Sequence, residues 1–220
     1  MSRQQQTKNV ARGWPRRWLC CKLSQTMRLP DDSDAITPVE DLFVYHIFGE
    51  PPALRQWQTR PETYALEVRG LIGRPRTFSL RQIRESFAPV SDIFVLQCMT
   101  RVHWGRVRVK GVQLLDILEA VEPNPAAFKV ALFGGEGFTT DLFVEEVNAE
   151  PDRFLLAYEM NGQPLTADHG YPLRVVAEGK YAYKWCKWLT AIELADHDFK
   201  GHYEGKRGWS DKATRGLPVF

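Results

Sequence analysis

Short runs of alternating or wholly apolar residues dominate this chain, and helical spacing appears only in brief pieces. Tyr64 to Val68 alternates apolar and polar positions, the signature of a strand with one buried face. Asp92 to Gln97 reads as a buried strand and Val107 to Val112 as an alternating one. Phe128 to Phe133, Phe154 to Tyr158, Leu173 to Val176 and Trp188 to Leu194 supply further strand material. Ser79 followed three residues later by Gln82 is a capping box, which opens a helix through about Phe87, and Leu114 to Ala120 has the spacing of a second short helix. Asn161-Gly162 marks a tight hairpin turn after Tyr158, since a type I′ turn needs positive φ at both central residues. No internal repeat or low-complexity stretch interrupts the pattern. Strands in runs with short, scattered helices indicate an α+β fold rather than a doubly wound one.

Composition narrows this only a little. A chain of 220 residues with 44% hydrophobic content can bury one sizeable core. The net charge of +2 is too small to imply nucleic acid, but the charge is uneven. Residues 1–30 hold Arg3, Lys8, Arg12, Arg16, Arg17, Lys22 and Arg28 with no acidic residue, so residues 1–40 are expected to form a basic, poorly ordered arm, and residues 41–220 a single domain. An anionic partner or membrane surface is the alternative role for that arm. Arg16-Arg17 lacks the apolar stretch that an export signal requires, and no run is long enough to span a membrane. Cys98 and Cys186 lie in apolar strand contexts, which fits a reducing compartment and a cytoplasmic location. No G-x-G-x-x-G follows a strand, and no cysteine or histidine spacing suggests zinc.

The chemistry concentrates between Asn161 and Leu189. There Asp168-His169-Gly170 precedes a short apolar strand carrying Arg174, and Gly179 precedes Lys180, Lys184 and Lys187 set among Tyr181, Tyr183, Trp185 and Trp188. Backbone N–H groups freed by glycine, with cations at their edge, bind phosphate by geometry and charge together. Taken singly, each residue has a plainer reading. Cys98 at a strand end could be a small buried hydrophobe, His169 a satisfied loop histidine, Arg174 the partner of a carboxylate, and Lys184 and Lys187 surface lysines. Arg106, Arg108 and Lys110 project from one face of a strand, as a solvated face or as a basic rim that guides an anion.

The order N-G-x-P-L, D-H-G-x-P-L-R-V-V, G and K-x-x-K-W-L resembles the molybdopterin-binding domain of the sulfite oxidase family. Leu42 to Gly49 is similar to that family's opening segment, Tyr64 to Pro75 to its first strand and turn, and Gly137 to Leu142 to the loop closing its site. The run Ile93 to Cys98 followed by Gly111-Val112-Gln113-Leu114-Leu115-Asp116-Ile117-Leu118 is similar to its metal-ligating strand and the helix after it. The resemblance covers about Asp41 to Trp209 and implies a strand-rich, mixed-sheet fold holding molybdenum-molybdopterin. It implies Cys98 as metal ligand and His46, Asp141, His169, Arg174, Lys184 and Lys187 as cofactor contacts. Where sulfite oxidases have a substrate-binding arginine this chain has Tyr45, and where they have a tyrosine in the closing loop it has Phe138; Arg101 is the nearest arginine to the cysteine.

The resemblance implies oxygen-atom transfer on a small substrate, a sulfite-like anion, an S-oxide or an N-oxide. With no haem, iron–sulfur or dinucleotide motif present, electrons are expected to pass through a separate redox protein. Since the family's carboxyl-terminal dimerisation domain has no counterpart before Phe220, a monomer is expected. Two rivals stand beside this reading: a thiol hydrolase with Cys98 and His103 or His169, and a non-catalytic cofactor-binding protein of the same fold.

Overall fold

The computed structural model describes residues 35–220. Residues 1–34 of the expected arm lie outside the described residues. Within the remainder of that arm, Thr37 already joins the domain: its N–H donates to Arg106 O at 2.8 Å and its hydroxyl accepts from Arg106 N–H at 3.0 Å.

Two five-stranded sheets carry the fold. The first runs β2 (Arg76–Ser79), β1 (Ala65–Gly70), β10 (Leu189–Ala195), β5 (Lys129–Gly134), β6 (Thr139–Phe143). In it β1 and β10 are parallel and the other pairs antiparallel, so the sheet is mixed. The second runs β3 (Val90–Gln97), β4 (Trp104–Gln113), β7 (Phe154–Met160), β8 (Gln163–Pro164), and β9 (Arg174–Ala177) also pairs with β7. Every residue of β9 and all but one of β7 are buried, whereas Glu67 and Ala65 of β1 face water and Leu66 and Val68 face the core. Strands covered on both faces lose their alternation, which is why Phe154 to Tyr158 reads as a continuous apolar run.

Short helices cover the ends: α1 (Leu54–Thr59), α2 (Leu80–Ser86), α3 (Leu114–Glu119), α4 (Val144–Ala149) and α5 (His202–Arg207). At α2 the capping box closes as expected. Gln82 N–H donates to Ser79 Oγ at 3.2 Å and Ser79 N–H to Gln82 Oε1 at 2.8 Å. Asn161 and Gly162 take φ of 52° and 79°, the pair of positive values that the β7–β8 turn needs. The stretch around Thr139 to Leu142, expected as a closing loop, is instead the edge strand β6. Its side chains alternate, with Thr140 and Leu142 buried, but Asp141 between them is buried too and hides the period-two pattern.

Two connections matter for function. The antiparallel β3–β4 pair ends at Gln97↔Trp104, so Cys98 opens the hairpin loop, and Cys98 N–H donates across it to His103 O at 2.8 Å. The segments before β9 and before β10 return to the same end of the sheets. Replacing Ser79 by Ala removes a cap worth about 1 kcal/mol, so the thermal midpoint is expected to fall by about 2–4 °C in a differential scanning measurement.

Candidate cofactor site

A cavity of about 470 Å³ lies where these connections meet, with Cys98, Arg174, Lys187, His46, His169 and Glu136 on its walls. Apolar and aromatic side chains, among them Phe43, Phe138, Trp185 and Trp188, make up most of the rest.

The sulfur comes from β3. Cys98 is 9% exposed, and its Sγ lies 3.9 Å from Tyr45 Oη, which in turn is 3.3 Å from His103 Nδ1. Tyr45 therefore stands between thiol and imidazole. The Cys–His pair that a thiol hydrolase would need does not form with His103 directly, and His169 Nε2 faces Val39 O at 3.2 Å.

The cations come from β9 and from the approach to β10. Arg174 is only 3% exposed; its guanidinium donates to His169 O at 3.1 Å and Trp185 O at 3.3 Å, while its Nε has no partner. Among the described residues no carboxylate pairs with it, unlike Lys129, Lys180 and Lys184, the other buried cations. Burial lowers Arg174 to about 10. Lys187 donates to Asp168 O at 2.9 Å and Tyr45 O at 3.0 Å and lies over the Trp188 ring. Burial, followed by the charge of Arg174, lowers it to about 7. Trp188 holds φ at 46°, a conformation bulky residues rarely take, and is fixed by donating from Nε1 to Ala167 O at 3.0 Å. Gly170, at φ 98°, fits between these cations: a Cβ there would stand 3.0 Å from Lys187 Cβ and 3.2 Å from Arg174 Cβ.

Neutral and acidic groups complete the wall. His169 is buried and lowered to about 4, first by desolvation and then by Arg174, so it is uncharged at neutral pH. Desolvation also lowers His46, whose Nε2 is 3.4 Å from Asp168 Oδ1 but off the line of a hydrogen bond. Glu136 is raised to about 7 by burial, and its Oε2 is unpartnered. Three buried atoms without partners, Arg174 Nε, Glu136 Oε2 and His46 Nε2, thus line one cavity. A thiol, a buried guanidinium and a half-buried ammonium without carboxylate partners among the described residues, and unspent hydrogen-bonding capacity match a large polar anion that also carries a metal. A pterin phosphate with a thiolate-ligated molybdenum has that chemistry.

Three expected contacts lie elsewhere. Lys184 and Asp141 are fully buried behind the wall, where Lys184 Nζ is 2.6 Å from Glu204 and 3.2 Å from Asp141, and Lys129 is 2.6 Å from the other Asp141 oxygen. The one-turn helix Ala182–Lys184 directs the lysine into the core and Tyr183 toward the cavity. Arg101, at φ 65°, turns its guanidinium away to Tyr181 Oη and Gly216 O, both at 3.1 Å. Tyr45 and Phe138 do line the cavity, as do Glu136, Tyr183, Tyr203 and Trp209, which the sequence did not single out. Arg106, Arg108 and Lys110 are not cavity residues; Lys110 pairs with Glu159.

The fold and this cavity define a cofactor-binding oxidoreductase domain of mixed-sheet type. Residues 53–203 match the model of the oxidoreductase molybdopterin binding domain, and the chain belongs to that family; its cofactor is molybdenum-molybdopterin. The chain is 35% identical over 141 residues to the uncharacterized oxidoreductase YuiH of Bacillus subtilis, covering 63% of this chain and 69% of that one. It is 31% identical over 208 residues to sulfite oxidase of Arabidopsis thaliana, covering 79% of this chain and 51% of the other. In the fungal NADPH nitrate reductase of Mycosarcoma maydis the match, 28% identical, covers 76% of this chain but 20% of the relative. The sulfane dehydrogenase SoxCD of Paracoccus pantotrophus shares the fold, with a TM-score of 0.67 at 21% identity over 82% of this chain and 47% of that one. This chain thus spans about half the length of the plant sulfite oxidase and a fifth of the nitrate reductase. Among the described residues no helix is long and apolar enough to cross a membrane.

Two measurements follow from this geometry. Asp141→Asn removes the charge shared by two buried ammonium groups and is expected to destabilise the protein by about 3 kcal/mol in urea unfolding. For His169, the folded value of about 4 lies below the free imidazole's 6.5. Its contribution is therefore complete above pH 6.5 and is lost as pH falls toward 4. The stability difference between the empty wild type and His169→Gln is expected to shrink by roughly 2–3 kcal/mol across that window.

Proposed function

We propose that this chain catalyses oxygen-atom transfer on a small substrate at a molybdenum-molybdopterin centre, with Cys98 as the protein ligand to the metal. The observation that carries this reading is Arg174, a buried guanidinium without a carboxylate partner whose free Nε borders the same cavity as the Cys98 thiol. Arg174 and Lys187 hold the pterin phosphate. A bound dianion raises Lys187 back from about 7 toward its charged form, which couples cofactor retention to that lysine's proton. Neutral His46 and His169 hydrogen-bond the pterin edge. Asp141 and Lys184 brace the wall from behind, and Arg101 fixes the loop after Cys98. The cofactor supplies a two-electron redox centre able to accept or release an oxygen atom.

The walls near Cys98 favour an S-oxide or N-oxide over a sulfite-like anion. Tyr45 and Phe138 stand there without a positive charge, and Arg101 points away. Bringing a sulfite-like anion beside neutral rings costs desolvation, and in this reading Arg174 and Lys187 are taken up by the cofactor phosphate. Electrons reach or leave the site through a separate redox protein, since the chain carries no motif for a second redox group. The free thiols Cys98 and Cys186 suit the reducing conditions of the cytoplasm.

The test is direct. Protein made in a host that synthesises the cofactor is expected to contain about one molybdenum per chain, and Cys98→Ser to keep its fold while its metal spectrum changes. Arg174→Ala and Lys187→Ala are expected to lose most of their pterin on gel filtration, and ordinary pterin content in both variants would refute the assignment. Dye-linked turnover of an oxide separates the catalytic reading from a carrier role.

A further inference from the structure

Several buried or half-buried donors on the cavity wall are engaged with the protein itself, while Arg174 Nε and His46 Nε2 are left on the side assigned to the cofactor. Tyr183 Oη donates to Ser210 O at 2.7 Å, and the indoles of Trp185 and Trp188 donate to Ala177 O and Ala167 O. Lys187 is held between two carbonyls, and the terminal nitrogens of Arg174 by two more. The Tyr45 hydroxyl sits between Cys98 and His103.

Tyr203, from α5, is different. It is half-buried in the wall, and among the described residues its hydroxyl has no hydrogen-bond partner. The ring is clamped: it stacks on Trp209 with centroids 4.1 Å apart and planes 3° apart, and meets Phe138 and Tyr183 edge-on at 5.9 Å and His202 at 5.2 Å. A ring fixed on these sides leaves its hydroxyl only rotation about the C–O bond, so the donor is positioned before any substrate arrives. Burial raises its pKa above the ordinary phenol value, so the hydroxyl is a donor at neutral pH. The helix that carries it is anchored from behind, where Glu204, the next residue, pairs with Lys184 and accepts from Thr140 Oγ1.

We propose that Tyr203 is a catalytic residue whose hydroxyl donates the hydrogen bond to the oxygen exchanged beside Cys98. The inference rests on the oxygen-atom-transfer reading above and deepens it. In the reductive direction a sulfoxide takes two electrons, delivered singly by a reduced carrier protein or dye, and two protons. The S–O bond breaks, and the products are a thioether and water. Tyr203 Oη–H is the proton source aimed at the departing oxygen and is reprotonated from solvent. The donor is uncharged and framed by Phe138 and Trp209, so it serves a neutral oxide with small alkyl groups.

Cofactor-loaded wild type, Tyr203→Phe and the double variant Tyr203→Phe/Phe138→Tyr test this with two readouts. One is binding of dimethyl sulfone, a non-reducible analogue, followed by tryptophan fluorescence. The other is dye-linked kcat/KM for dimethyl sulfoxide and trimethylamine N-oxide. Tyr203→Phe, with an unchanged thermal midpoint, is expected to weaken sulfone binding about fivefold and lower kcat/KM about 100-fold. The double variant, which returns a phenol to the adjoining ring, is expected to recover part of both losses. Unchanged binding and turnover in Tyr203→Phe would overturn the proposal while leaving the general reaction standing. No oxide turnover by loaded wild type, with sulfone binding still weakened in Tyr203→Phe, would instead overturn the reaction and keep the donor. A higher kcat/KM for sulfite or nitrate than for either oxide would overturn the neutral substrate.

Discussion

A guanidinium buried without a counter-ion is the constraint around which this molecule is arranged. Arg174 is almost wholly removed from water, yet among the described residues its hydrogen-bond partners are two carbonyl oxygens. Desolvating a charge is costly unless something of opposite sign returns the energy, and the other deeply buried cations, Lys129, Lys180 and Lys184, each have a carboxylate. Arg174 borders a cavity instead. Lys187 beside it is driven toward neutrality by burial and then by the charge of Arg174, and Gly170 is small because anything larger would meet both cations' stems. The site is electrostatically incomplete in a way that a phosphorylated cofactor completes.

Around that deficit the fold separates two kinds of work. The strand ends supply groups that face the cavity: the thiol from β3, the guanidinium from β9, the ammonium from the approach to β10. A second layer keeps them in place without touching the cavity. The cluster of Lys129, Asp141, Lys184 and Glu204 ties β5 and β6 to α5 and to the turn before Cys186. Such a cluster is stabilising only while complete, so it resists local movement of the wall that carries Tyr183 and Tyr203. The aromatic stack of Tyr203 on Trp209 extends the same rigidity to the side of the cavity nearest the sulfur.

Membership in the molybdopterin-binding oxidoreductase family accounts for the architecture and the cofactor, but the relatives divide by substrate, as the names sulfite oxidase and nitrate reductase show. Substrate choice must therefore lie in the few side chains around the exchanged oxygen. In this chain Tyr45, Phe138 and an aromatic wall line the cavity together with Cys98.

The sequence by itself determined the strand-rich α+β class, the Ser79–Gln82 cap, the Asn161-Gly162 turn and the neighbourhood of Cys98, Gly170 and Arg174, because each is a local matter of period, cap chemistry, backbone sign or fixed spacing. It also brought Lys187 and Lys184 forward as equals, three residues apart and alike in chemistry. Only the tertiary structure separated them. A single turn of helix sends Lys184 into a nest of carboxylates contributed by β6 and α5, while Lys187 leaves on the other side toward the cavity. Asp141 was misplaced for the same reason, since its partners come from β5 and from the far side of β9. Tyr203 and Glu136 carried no signal because nothing in their own segments marks them. Their surroundings, an uncommitted hydroxyl in the wall of a cavity and a carboxyl stripped of water, exist only after distant strands have closed on them.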